Sequence, residues 1–378
     1  MKLKFDPQSF TYCALGISLL CSCATDESRF LEYTDAVRCD AMQSLRQSHD
    51  LAGPEDITID HREGIAYVSA TDRWEKKSGG LFVYRPGHPR SLHRIRPADD
   101  TVRSADSYFP HGISLFIKPC INDDCSQGDV VNKRLFVIHH PLSQSGVRQS
   151  DVEILSLDKD GLQLITAIEG QSAEPILGRN PDLNDLVAVD LNRFFATDNG
   201  AGPIASGLFG KGAVVYFDGK SWHEVITGLT YPNGIAYHET SRTLYVGTSN
   251  GLLRVFDASD PLDLVEYPEK AIDLDIALDN IEWENDNGDA LLIAGHKSVV
   301  RFIWHSYQLS DTSPSSIWRV GLDDHGLPDH SRTTILHQEH SKLLPAISVA
   351  AAYQDRILLG SVFADRFLDC EFSVGDGD

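Results

Sequence analysis

From about residue 55 to residue 371 the chain is built of short apolar runs, rich in Ile, Val, Leu, Phe and Tyr, divided by Gly, Asp, Asn and Pro. That texture belongs to strands and tight turns. No long segment of helical period stands out between residues 53 and 371, so the pattern predicts an all-β fold. The runs repeat. Pro54-Glu55-Asp56-Ile57-Thr58-Ile59-Asp60 leads to Gly64-Ile65-Ala66-Tyr67-Val68-Ser69. Pro110-His111-Gly112-Ile113-Ser114 leads, after an insertion, to Arg134-Leu135-Phe136-Val137-Ile138-His139-His140. Leu183-Asn184-Asp185-Leu186-Val187-Ala188-Val189 leads to Arg193-Phe194-Phe195-Ala196-Thr197-Asp198. Pro232-Asn233-Gly234-Ile235 leads to Thr243-Leu244-Tyr245-Val246-Gly247-Thr248, and Leu278-Asp279-Asn280-Ile281 leads to Ala290-Leu291-Leu292-Ile293-Ala294-Gly295-His296. A weaker sixth copy runs from Pro345-Ala346-Ile347-Ser348-Val349 to Arg356-Ile357-Leu358-Leu359-Gly360-Ser361.

Each interval between copies holds four short strands, which is one propeller blade. Repetition of this kind marks a repeat architecture, and six copies predict a six-bladed β-propeller. The first strand of a blade lines the central channel, so the polar residues at the six heads meet at one mouth. A β-sandwich is the competing fold, but it does not require a polar head in every copy. The domain reading is a leader over 1–23, a helical or irregular lead-in over 24–50, and a propeller over 51–373.

The heads carry candidate chemistry. Glu55, Asn184, Asn233, Asp279 and Asn280 all offer side-chain oxygen, and a hard cation such as Ca²⁺ takes six to eight oxygens from carboxylates, amides and water. Taken singly, each Asn-Gly or Asp-Asn is ordinary turn chemistry; five in phase are not. Asp56 and Asp185 follow one residue later, and strand alternation turns them the other way, toward a second ion or a hydrogen-bond set behind the first. His111 takes a head position where other copies offer oxygen. His140 ends the paired strand of the same repeat, where its ring can orient that of His111. A histidine beside a bound cation can act as a general base on water; two structural histidines are the alternative. His296 ends the fifth pair similarly and is read as lining the mouth, whereas alternation turns His139 outward. Gly247-Thr248-Ser249-Asn250-Gly251 has the spacing of a nucleophile elbow, but it lies between two strands and reads as a hairpin turn. There is no Walker A motif, HExxH or N-x-S/T sequon.

Composition narrows the choices. Of the 378 residues 42% are hydrophobic and 23% charged, which is ordinary for a globular chain, but the formal charge is −22. Phosphate backbones and anionic lipid call for basic patches, so no nucleic-acid partner is expected. Acidity also suits a protein that collects divalent cations. The N-terminus is separable: the apolar run over 12–21 is too short to span a bilayer, and Leu20-Cys21-Ser22-Cys23-Ala24 resembles a bacterial lipobox with Cys23 as the lipidated residue. A plain cleaved signal and an uncleaved signal-anchor are the alternatives. All three export the protein, as a periplasmic or membrane-anchored lipoprotein or as a secreted one, and the only membrane contact expected is a lipid anchor at Cys23. The mature chain keeps Cys39, Cys120, Cys125 and Cys370. An oxidising compartment permits two bridges, with three connectivities open.

Pro54-Glu55-Asp56, Pro110-His111-Gly112-Ile113-Ser114, His140-Pro141, Leu183-Asn184-Asp185, Pro232-Asn233-Gly234-Ile235, Leu278-Asp279-Asn280-Ile281, Gly295-His296, Gly360-Ser361-Val362-Phe363 and Cys370-Glu371 occur in an order that resembles the paraoxonase/arylesterase family of calcium-dependent lactonases, over most of the mature chain. The resemblance implies two Ca²⁺ in the channel. Glu55, Asn184, Asn233, Asp279 and Asn280 would ligate the catalytic ion. Asp56, Asp185 and the backbone carbonyl of Ile113 would ligate the structural one. His111 and His140 match the family's histidine dyad, His296 and Val362 its pocket lining, and Cys39–Cys370 its ring-closing disulfide. Three departures stand out. Gly200 replaces a histidine of animal members, the region 201–212 lacks the family's active-site helices, and the loop after Ser69 offers Trp74 to the pocket.

The expected activity is hydrolysis of a lactone or aryl ester, with phosphotriester hydrolysis as a side activity. In that scheme calcium polarises the carbonyl and water is activated by His111, oriented by His140, or by a carboxylate of the ion's own shell, Glu55 or Asp279. A gluconolactonase-like sugar lactonase with one metal and a non-catalytic exported binding scaffold are the rival readings.

Overall fold

The computed structural model describes residues 38–42, 51–95, 108–118, 133–141, 149–158, 161–200, 210–341 and 343–371. Cys23, Cys120 and Cys125 lie outside them. Six antiparallel sheets follow one another along the chain. Blade 1 comprises Pro54–Asp60, Ile65–Asp72, Lys77–Tyr84 and His93–Ile95. Blade 2 comprises Pro110–Ile117, Lys133–His139, Asp151–Asp158 and Gly161–Ile168. Blade 3 comprises Leu183–Asp190, Arg193–Asp198, Gly212–Phe217 and Trp222–Leu229. Blade 4 begins with Pro232–His238, Thr243–Thr248 and Leu252–Asp257, and its outer edge is shared by Val265–Glu266 and Ile272–Asp273. Blade 5 comprises Ala277–Trp283, Ala290–His296, Ser315–Leu322 and Pro328–Glu339. Each first strand contacts the first strand of the next blade, and Ile347–Tyr353 contacts Pro54–Asp60, so the ring closes as a six-bladed propeller. Thr248 and Leu252 belong to adjacent strands, so the segment around Ser249 is a hairpin turn and not a nucleophile elbow.

The closure departs from the expectation for the lead-in. Arg38–Met42 is a strand, and it pairs with Phe367–Glu371 as the outermost strand of blade 6, beyond Ile347–Tyr353 and Arg356–Ser361. Its sequence, Arg-Cys-Asp-Ala-Met, has no apolar alternation to announce a strand, and its partner lies at the far end of the chain. Cys39 stands opposite Cys370 in this pairing, and the two form a disulfide spanning 331 residues. The bridge restricts the open chain far more than the closed ring, so Cys39→Ser is expected to lower unfolding stability by about 2–4 kcal/mol. Denaturant titration of the variant against the oxidised protein measures that loss.

Apolar packing fills the seams between blades. Six clusters of buried residues occur, each joining the facing sides of two neighbours, such as Ile57, Val68 and Phe82 with Val349, Leu358 and Phe367 between blades 1 and 6. Along a strand, alternate residues therefore face opposite neighbours, as Phe194 and Phe195 do toward blades 2 and 4. Both sides are buried, which explains why these strands read as near-continuous apolar runs rather than alternating ones.

Candidate metal and catalytic site

The six first strands share a local irregularity. The pairing slips between Pro54 and Asp56, Pro110 and Ile113, Leu183 and Leu186, Pro232 and Ile235, Leu278 and Ile281, and Ile347 and Val349. A bulge adds a residue to one strand and re-aims its side chains. The polar heads lie in these six bulges. Glu55, Asn184 and Asp185 fall within these slips, where strict alternation no longer fixes which way a side chain turns. Two heads contain a glycine that close packing demands. A Cβ on Gly112 would stand 2.7 Å from the Asn184 carbonyl, and one on Gly234 would stand 2.3 Å from the Asp279 carbonyl. Pro-His-Gly and Pro-Asn-Gly thus let the following blade's head come into contact.

Glu55, Asn184, Asn233, Asp279 and Asn280 are all buried. Asn280 Nδ2 donates to Glu55 Oε1 at 3.2 Å and to the Glu55 carbonyl at 3.0 Å, and that carbonyl also accepts from Ser348 Oγ at 2.7 Å. Asn233 Nδ2 donates to Asp279 Oδ1 at 2.6 Å, while His296 Nε2 lies 2.8 Å from Asp279 Oδ2. The amide nitrogens of Asn233 and Asn280 are thereby occupied. The oxygens are different: Oδ1 of Asn184, Asn233 and Asn280 and Oε2 of Glu55 are buried with no hydrogen-bond donor. Buried acceptors rarely stay unpaired. Four oxygens from four blades in this condition form a donor set that fits a hard, oxygen-seeking cation. Among the described residues no group of three or more His, Cys, Asp or Glu gathers as a metal cage, because this set is made largely of amides.

Charge in the cradle is uneven. Burial pushes the Glu55 carboxyl up, but the His111 imidazole and the Arg73 guanidinium outweigh it and hold the group at about 2. Burial raises Asp279, with His296 opposing. Asp56 and Asp185 are raised well above the usual carboxylate range by burial, with Glu55 adding to the first and Asp56 to the second. The two aspartates are placed alike. Asp56 Oδ1 accepts from Ile57 N at 2.9 Å and Oδ2 from Ile113 N at 2.7 Å. Asp185 Oδ1 accepts from Leu186 N at 2.7 Å and Oδ2 from Ile235 N at 3.0 Å. Each carboxylate therefore ties its own strand to the next blade. Glu282, a further inner-strand acid, is raised by burial and by Asp56; nothing in its Ile-Glu-Trp context announced it.

The histidines form the expected pair. His111 Nδ1 lies 2.8 Å from His140 Nε2. His140 Nδ1 faces the Gln149 carbonyl and Ser150 Oγ, each at 3.1 Å. A carbonyl only accepts, so in the neutral ring the His140 proton sits on Nδ1. His140 Nε2 then accepts from His111 Nδ1–H, which leaves His111 Nε2 as the basic nitrogen. That nitrogen is turned to the cradle, 3.4 Å from Glu55 Oε1. Gln149 and Ser150 were not singled out in the sequence because no motif surrounds them. His139, expected to face outward, is buried in blade 2, where its Nδ1 accepts from Phe109 N at 3.1 Å. Both faces of this strand pack against neighbouring blades, so alternation does not lead to solvent.

Trp74 and His296 are joined through aromatic residues the sequence left unassigned, and Val362 precedes one of these, Phe363, and accepts from Arg73 through its carbonyl. Trp74 stacks on Phe363 at 5.3 Å and meets His305 edge-on at 5.3 Å; His296 stacks on Phe302 at 4.1 Å, and Phe302 lies 5.7 Å from Phe363. Phe302 and His305 belong to an unexpected helix, Val299–Ser306, whose N-cap Ser298 accepts from Arg301 N. Its signal was Ser298 ahead of Val-Val-x-Phe-Ile, too short to stand out in a strand-rich chain. Gly200 has φ +64°, a left-handed conformation suited to glycine, and its N–H donates to Asp198 Oδ1 at 2.8 Å. The region expected to lack helices, 201–212, is described only from residue 210.

The chain is 24% identical over 362 residues to serum paraoxonase/arylesterase 2 of Bos taurus, covering 91% of each chain. It is 23% identical over 344 residues to serum paraoxonase/arylesterase 1 of Homo sapiens, covering 84% of this chain and 86% of that one. The soluble aldose sugar dehydrogenase of Escherichia coli superposes with a TM-score of 0.50 at 13% identity, over 89% of this chain and 100% of that one, which is a likeness of fold. The arylesterase family profile matches residues 100–372. With most of the chain inside that match, the protein belongs to the arylesterase family, the family of the paraoxonases.

Proposed function

We propose that the protein is an exported calcium-dependent hydrolase of lactones and aryl esters. The observation that carries this is the set of buried oxygens without a hydrogen-bond donor on Glu55, Asn184, Asn233 and Asn280, met by a histidine dyad at the same mouth. The relatives' names, which include arylesterase, paraoxonase and lactonase, support the substrate class. In this reading those four residues and Asp279 hold the catalytic Ca²⁺, and Asp56, Asp185 and the Ile113 carbonyl hold a structural one. A bound ion supplies Lewis acidity toward an ester carbonyl, and the same polarisation extends to phosphotriesters. The side chains do the rest. Asn233 and His296 fix the Asp279 carboxylate from two sides. His140, held by Gln149 and Ser150, keeps the proton on His111 Nδ1 and leaves Nε2 to take a proton from water. Trp74, Phe302, Phe363 and Val362 give the substrate an apolar wall and exclude water. Export agrees with the Cys39–Cys370 disulfide, and among the described residues no helix is long and apolar enough to cross a membrane.

Two tests bear on this reading. Hydrolysis of a panel of lactones and aryl esters, with and without EDTA, should show turnover that the chelator abolishes and calcium restores. Turnover that persists in EDTA, or none in calcium, sinks the proposal. In His111→Gln, kcat on the best substrate should drop about 10²–10⁴-fold, the usual contribution of a general base, while calcium affinity stays within about twofold. If kcat is retained, the base is a carboxylate of the ion shell rather than the dyad.

A further inference from the structure

Arg73 belongs to neither the oxygen set nor the dyad, yet it lies among them. It sits in the turn after the second strand of blade 1, beside Trp74. Its Nη2 is 3.4 Å from Glu55 Oε2, the oxygen that lacks a hydrogen-bond donor, and its Nη1 donates to the Val362 carbonyl at 3.4 Å. The guanidinium lies over Gly53, where a Cβ would stand 3.3 Å from Nη1. The side chain is 22% exposed against 3% for Glu55, so the cation is partly solvated while the carboxylate it meets is buried. Arginine remains charged at any working pH.

We infer that Arg73 is a positioning residue acting as a built-in counter-cation. It neutralises Glu55 when the mouth holds no metal, and it opposes the incoming metal ion by like-charge repulsion. The inference rests on the proposed calcium site at the mouth. A carboxylate buried without a partner is costly, so a fixed positive charge at Oε2 keeps the ion-free cradle intact. The same charge cannot retreat far when calcium arrives, because the Val362 carbonyl and the Gly53 backbone fix its seat. Two positive charges then share one carboxylate at short range, where their repulsion is only partly screened. The consequence is a mouth ion held less tightly than its oxygen shell alone would allow, and therefore exchangeable, beside an inner ion that Arg73 does not face.

Arg73→Gln separates these effects, because they have opposite signs. With the full-length protein in EDTA, the variant should melt at a lower temperature than the wild type. In calcium titration calorimetry its weaker site should bind about tenfold more tightly or better, with the tighter site unchanged. Arg73→Lys keeps the charge and should match the wild type in calcium affinity within about threefold. Arg73→Met preserves the packed stem and repeats the measurement if the glutamine variant does not fold. Unchanged or weaker calcium binding in the charge-removing variants, with two sites present in the wild type, overturns the role given to Arg73. A wild type that binds no calcium at a second, weaker site removes the calcium reading itself and this inference with it.

Discussion

Asp279→Ala is expected to abolish hydrolysis, lowering kcat/KM by about 10³-fold or more, and to remove the weaker of two calcium-binding sites. Asp279 is buried, and both of its oxygens are already engaged, Oδ1 by the Asn233 amide and Oδ2 by His296. It is thus an acidic ligand with each oxygen held at short range by another residue of the site. Removing it deletes a charge from the proposed shell and releases Asn233, whose own oxygen belongs to the unpaired set. Loss of a single preorganised electrostatic contact costs about 10²–10³-fold, and here the metal goes as well. The substitution should leave the inner site intact, so the variant should still fold and still bind one calcium ion. Activity assays and calcium titration on the same preparation check both halves. Retention of full calcium-dependent turnover would mean that the ligand assignment is wrong.

Removing calcium is expected to destabilise the protein, and increasingly so as pH rises. Asp56 and Asp185 are buried carboxyls whose folded pKa values stand well above the usual range, mainly through desolvation. In the unfolded chain both titrate near about 4. Below that value the groups are protonated in both states and burial carries no ionisation penalty. As pH climbs from there toward the folded values, the unfolded chain releases protons that the folded one retains. Unfolding then becomes more favourable with each step in pH. The ion-free protein should therefore lose melting temperature as pH rises from about 4 toward neutrality, whereas calcium, by pairing with the carboxylates, should flatten the curve. Excess ligand at 1,000 times its Kd adds about 4 kcal/mol. Asp185→Asn gives up one of the two backbone hydrogen bonds, so it should be less stable than the wild type in both media, by a smaller margin in EDTA at the upper end of that range than in calcium. Melting curves in EDTA and in calcium across the pH series decide this. Parallel curves would argue against an ion at Asp56 and Asp185.

Much of the architecture was legible because each blade announces itself twice, by a polar head and by a paired apolar strand. Pro-His-Gly, Leu-Asn-Asp, Pro-Asn-Gly and Leu-Asp-Asn are dense local signals, and both sides of every strand are buried, so the apolar runs are long enough to see. What escaped depends on partners remote in sequence or on backbone irregularity. Arg38–Met42 is a strand only because Phe367–Glu371 lies beside it. The bulges at the heads leave no residue pattern, so alternation alone does not fix how Glu55 and Asp56 are separated. Gln149, Ser150 and Arg73 act through a carbonyl, a hydroxyl and a guanidinium that only tertiary structure brings to His140 and Glu55. Phe302 and His305 enter the mouth from a two-turn helix whose pattern is too brief to rise above the strand texture.

The central claim is that the head residues hold two ions with separate duties, and calcium titration calorimetry of the apo protein tests it most directly. Two binding events are expected, one lost in Asp279→Ala together with activity and the other lost in Asp185→Asn together with calcium-dependent stability. No binding, or a single event indifferent to both substitutions, would contradict it.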